Sequence, residues 1–135
     1  MQRILQKRSN DCGVACVAML INKYTECPAE SAYDAAKAAM FGRHPATRTL
    51  KKDLRKGLKA FGIKSENKYV DFDYNSPSDM GLKFDAIIAT RPIKKEDWHW
   101  LVWDADTKTL LDPNPNKKSN SHRSAYQYIK ILTND

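Results

Sequence analysis

One stretch constrains this chain more than any other: Gly13-Val14-Ala15-Cys16-Val17-Ala18-Met19-Leu20-Ile21, directly behind Asp11-Cys12. It holds no charge and no proline. Asp11 is a residue type that caps helices, so the spacing predicts a helix beginning there. A helix apolar on nearly every side cannot lie on a surface. It must be central, with other elements packed around it.

The remaining patterns supply those elements. A second helix is predicted from Pro28 to Met40: Pro28 suits a first turn, Glu30 the positive end of the helix dipole, and Gly42 the stop. A third is predicted after Thr47, running to Phe61. Leu50, Leu54, Leu58 and Phe61 form its apolar stripe, and Gly62 ends it. From there the pattern changes to strands. Residues 63–70 give a weak signal, Phe84 to Thr90 a clearer one. Trp98 to Asp104 is aromatic and β-branched, Thr109 to Leu111 follows a short turn, and Tyr126 to Leu132 closes the series. Helices first and antiparallel strands after them make an α+β chain, with a helical layer packed on a mostly antiparallel sheet. Its 135 residues suit one domain spanning 1–135.

Charge and cysteine usage narrow the function. Lys and Arg number 23 against 16 Asp and Glu, a net charge of +7. The basic residues are spread out, and no recognition motif accompanies them, so nucleic acid is not the expected partner. The densest basic stretch, 51–59, reads as a solvated helix face, and the wider basic segment 43–59 could be a surface for an acidic partner. Three cysteines (Cys12, Cys16, Cys27) cannot all pair within the chain, and a disulfide framework is not expected. No apolar run approaches the roughly 20 residues that span a bilayer. The N-terminal residues lack the apolar core of a signal peptide, so the expected location is cytoplasmic. No short-spaced Cys or His pair suggests a metal, and no cofactor is expected.

Cys12 carries the chemistry. At the first turn of a buried helix, a cysteine faces free backbone N–H groups and the positive end of the dipole, which favour a negative sulfur. Gly13 is expected to leave room beside the sulfur for a substrate backbone. Gln6 lies on the chain entering the helix and could donate a hydrogen bond to an oxyanion, together with the Cys12 N–H. His99 sits within the aromatic strand. A turn centred between Ala105 and Asp106 would set it directly opposite Asp112, with Cβ atoms about 4.5–5.5 Å apart. Asp112 could then orient the imidazole. Asp104 and Asp106 are rival carboxylates, expected to be solvated near the turn. Cys16 and Cys27 are expected in the core, as are the three tryptophans, although Trp98 or Trp100 could flank the site. His44 and His122 are expected to be exposed and without a role.

The stretch Gln6-Lys7-Arg8-Ser9-Asn10-Asp11-Cys12-Gly13-Val14-Ala15-Cys16-Val17-Ala18-Met19-Leu20 closely resembles the nucleophile segment of the bacteriocin-processing double-glycine peptidases. His99-Trp100-Leu101-Val102 and Leu111-Asp112-Pro113 resemble that family's histidine strand and Asp-Pro element. The resemblance implies a papain-like cysteine peptidase fold. It implies Cys12 as nucleophile, His99 as general base and acid, Asp112 as orienting residue and Gln6 as oxyanion donor. The implied reaction is cleavage of a peptide or protein substrate after a small residue, typically the second of a Gly-Gly pair. Two other classes remain open from the residues alone: a related Cys-His amidase or acyl transferase, and a papain-like binding or inhibitor module without turnover.

Overall fold

The computed structural model describes residues 1–46, 49–66, 68–74, 81–90, 99–116 and 125–132. Three helices come first: α1 (Cys12–Tyr24), α2 (Ala29–Phe41) and α3 (Lys51–Ala60). Six strands follow: β1 (Lys64–Ser65), β2 (Val70–Tyr74), β3 (Ala86–Thr90), β4 (His99–Asp104), β5 (Thr109–Leu111) and β6 (Ala125–Leu132). All the strand pairings are antiparallel, in the order β1-β6-β3-β4-β5, with β2 also on the outer edge of β6. The layout is the expected α+β one. The weak signal over 63–70 resolves into two edge pieces, both paired with β6.

α1 is the axis of the molecule. Every residue from Cys12 to Ile21 is buried. One face of the sheet (Ile87, Ala89, Trp100, Val102, Leu111, Ile129 and Ile131) joins α1 in a single core with Tyr33 and Met40 of α2 and Leu54 and Leu58 of α3. The other sheet face carries a smaller cluster of Ala86, Ile88, Leu101, Trp103 and Leu110. The alternation along β4 thus buries both of its faces.

The helix ends follow local chemistry with some departures. Pro28 takes the N-cap position of α2 rather than its first turn, and Gly42 closes that helix at φ 61°. Gly62 follows α3 at φ 72°. There the Gly62 N–H reaches the Lys59 carbonyl, and the Ile63 N–H reaches that of Leu58, both at 3.0 Å. This is the left-handed closure that glycine permits. Leu50 departs from its predicted stripe: it caps α3 by donating its N–H to Asp53 at 2.9 Å and leaves its side chain 51% exposed. Thr47, His122 and Trp98 lie outside the described residues. Among the described residues, no helix is long and apolar enough to cross a membrane.

Candidate active site

Cys12 is the first residue of α1, as the sequence predicts, but Asp11 does not cap the helix with its side chain. The Asp11 carboxylate turns instead to α2, where the Tyr33 hydroxyl donates to it at 2.5 Å. The same hydroxyl accepts the Lys7 N–H at 3.0 Å. Tyr33 therefore ties down both ends of the loop that leads into Cys12. Burial, and then the bond to Asp11, push its phenol above the ordinary tyrosine range. Nothing in the local sequence signals this partner, because Tyr33 lies a whole helix away.

Gly13 also differs from its expectation. A Cβ at this position would lie 2.5–2.6 Å from Thr49 side-chain atoms. The space beside the glycine holds Thr49, not an approaching substrate. Thr49 is itself buried, and its carbonyl accepts the Trp100 indole N–H at 3.1 Å. Trp100 is a core residue, stacked on Tyr69 with ring centroids 6.1 Å apart.

His99 opens β4, and its Nε2 lies 2.7 Å from Oδ1 of Asp112. The predicted strand register does not produce this contact. Val102 pairs with Leu111, Trp103 with Leu110 and Asp104 with Thr109. His99 and Asp112 are therefore diagonal neighbours on one sheet face, within reach of long side chains. The turn sits one residue later than predicted, which preserves the face while changing the partner. Asp112 is fully buried, and its Oδ1 also accepts the Asn114 N–H at 2.8 Å. Cys12 is the second group that acts on the ring, and like the Asp112 carboxylate it favours the imidazolium form. Burial alone would lower the His99 pKa. The bond to Asp112 and the influence of Cys12 outweigh it and raise the value from 6.5 to about 9. The imidazolium form is therefore favoured at neutral pH.

Gln6 engages its side-chain amide within its own loop. Its Nε2 donates to the carbonyls of Arg8 at 3.0 Å and Ser9 at 3.4 Å, and its Oε1 is buried without a partner. Its backbone N–H, however, reaches the Pro113 carbonyl at 2.8 Å, which joins the Gln6 segment to the Asp112 turn.

The remaining candidates sort cleanly. Cys16 is fully buried, and burial pushes its thiol well up, so it stays protonated and inert. Cys27 is half-buried against the core, and none of the three cysteines is bridged. Asp104 is not solvated as expected. It is buried and paired with Lys23 at 2.9 Å, in the last turn of α1 and so at the opposite end from Cys12. The Asp106 side chain is 79% exposed there, also bonded to Lys23 at 2.9 Å. His44 is exposed. Among the described residues, no group of three or more metal-ligating side chains occurs.

The model of the peptidase C39 family matches residues 1–125. The chain belongs to the peptidase C39 family. The resemblance read from Gln6 to Leu20 and from the histidine and Asp-Pro segments thus extends over most of the chain. The three helices on an antiparallel sheet are consistent with the papain-like fold of this family. Membership supports a cysteine peptidase acting on a peptide substrate. Comparison with the curated proteins finds no match.

Proposed function

We propose that this C39 domain cleaves a peptide bond after a small residue, of the Gly-Gly type, by attack of the Cys12 thiolate. The observation that carries the reading is the 2.7 Å contact of His99 with buried Asp112, beside Cys12 at the N-terminus of a buried helix. In the resting state the Cys12 proton lies on His99, with Asp112 stabilising the imidazolium. The sulfur attacks the carbonyl carbon and forms a C–S bond. The backbone N–H of Cys12 faces the developing oxyanion. Gln6 joins it by turning its amide away from the Arg8 and Ser9 carbonyls when substrate enters. His99 gives its proton to the leaving amine, and water, deprotonated by His99, then releases the acyl group.

The test pairs two assays. Iodoacetamide labelling followed by mass spectrometry should modify Cys12 far faster than Cys16 at mildly acidic pH, and His99→Ala should remove that advantage. Peptides with a Gly-Gly site should be cut by the wild type and not by Cys12→Ala. A reactive Cys12 with no cleavage of such peptides would favour the amidase or acyl-transfer alternative. A Cys12 as inert as Cys16 would leave a binding module.

The exposed face of α3 adds a partner to this reading. Lys52, Lys56 and Lys59 are exposed there, whereas Lys51 lies over the Tyr69 ring at 4.5 Å. An acidic segment of the substrate, or an acidic partner protein, is the chemistry this strip would attract. Three unbridged cysteines suit a reducing, cytoplasmic setting.

A further inference from the structure

The Asp112 carboxylate must be held still to orient His99, yet the sheet does not hold it. β5 ends at Leu111, and Pro113 has no N–H with which to continue a ladder. The next three backbone carbonyls are instead all taken by the N-terminal segment. Arg3 Nε donates to the Asp112 carbonyl at 2.7 Å, and Arg3 Nη2 donates to that of Asn114 at 2.9 Å. Between them, the Gln6 N–H donates to the Pro113 carbonyl at 2.8 Å. Within the gripped turn, the Asn114 N–H and His99 Nε2 both meet the same Asp112 oxygen, at 2.8 and 2.7 Å.

We propose that Arg3 is a positioning residue of this site: its guanidinium, forked across the Asp112 and Asn114 carbonyls, fixes the turn that aims the Asp112 carboxylate at His99. The inference rests on the reading of His99 and Asp112 as a working pair, and it adds a residue that this reading does not contain. The geometry requires arginine in particular. Two carbonyls two residues apart are met by two nitrogens of one planar, preorganised group. Lysine would bring the charge but only a single nitrogen. The same grip places Gln6 and Asp112, separated by most of the chain, in one local structure. Any loosening of the turn therefore acts on both sides of the site.

The experiment follows the His99 ring by two-dimensional NMR through a pH titration of wild type, Arg3→Met and Arg3→Lys. Among the described residues, the titratable groups that face the ring are Cys12 from α1 and Asp112 from the turn. A change in its midpoint therefore reports their placement. The wild-type midpoint should lie near 9. In Arg3→Met it should fall by about one unit toward the ordinary histidine value. Cys12 labelling by iodoacetamide at mildly acidic pH should slow by about tenfold with it. Arg3→Lys keeps the charge and should fall in the same direction by less. A lower melting temperature with an unchanged midpoint in both variants would make Arg3 a structural staple and overturn the inference. Should Arg3→Met not fold, Arg3→Lys decides by the same criterion. A wild-type His99 midpoint at the ordinary histidine value of about 6.5 would instead overturn the underlying catalytic reading, and the positioning role with it.

Discussion

At Gly13 a missing side chain is filled by a distant one. Thr49 packs where a Cβ would stand, at 2.5–2.6 Å, and the Trp100 indole holds the Thr49 backbone in place. Gly13→Ala should therefore destabilise the fold by about 1–3 kcal/mol, as overpacking of a filled core does. Urea denaturation measures it, and Thr49→Gly in the same chain should restore part of the loss. An unchanged midpoint for Gly13→Ala would mean that Thr49 yields freely. Buried atoms around the same helix end remain without partners: Gln6 Oε1, Asp11 Oδ1 and Thr49 Oγ1. Unpaired buried groups of this kind cost stability, and a proposed active site is one place where that cost is tolerated.

Among the elements, α1 joins two different electrostatic environments. Its N-terminus carries Cys12. Its last turn carries Lys23, which bridges Asp85 at 2.7 Å and both Asp104 and Asp106 at 2.9 Å. Tyr24 donates its hydroxyl to Asp85 beside them. Burial would raise the Asp104 carboxyl, but the N-terminal ammonium and Lys23 overcome this and hold it at about 2, below its ordinary 3.8. The sign follows directly. A carboxyl depressed in the folded state stabilises the fold above pH 3.8, and that contribution is lost as the pH falls through about 2. Lys23→Met should thus lower the melting temperature at neutral pH and flatten its decline between pH 4 and 2. Calorimetry across that window would contradict the account if wild type and variant fell in parallel.

For the whole molecule, the pH dependence should be set by the pair at the other end of α1. The His99 midpoint is raised, so the stabilisation from its contacts is complete below 6.5 and is lost as pH rises through about 9. In the proposed mechanism, protonation of the leaving amine by the imidazolium has the same limit. Peptide hydrolysis should accordingly hold through neutral pH and decline with a midpoint near 9. Asp112→Asn should move that decline to lower pH. An alkaline limb that does not respond to Asp112→Asn would show that another group controls it.

How much of this was legible in the sequence depends on the range of the interaction. The central helix, its position in the core and its cysteine at the N-terminus follow from Asp11 to Ile21, because the absence of polar residues acts within a few positions, although the Asp11 side chain does not make the expected cap. The closures at Gly42 and Gly62 follow for the same reason. The face shared by His99 and Asp112 was also available, since strand alternation is local. The pairing between them was not, because a one-residue displacement of the turn makes opposite residues diagonal. Leu50 fits a helical stripe by spacing but lies at the cap, which spacing cannot register. The Asp11 contact with Tyr33, the filling of Gly13 by Thr49 and the grip of Arg3 on the Asp112 turn join residues 22, 36 and 109 positions apart. Local patterns in the chain were enough to set which elements form and to put Cys12 at the head of the central helix. What surrounds Cys12 came from the three-dimensional packing, because long-range contacts depend on how whole elements meet and leave no periodic trace in the chain.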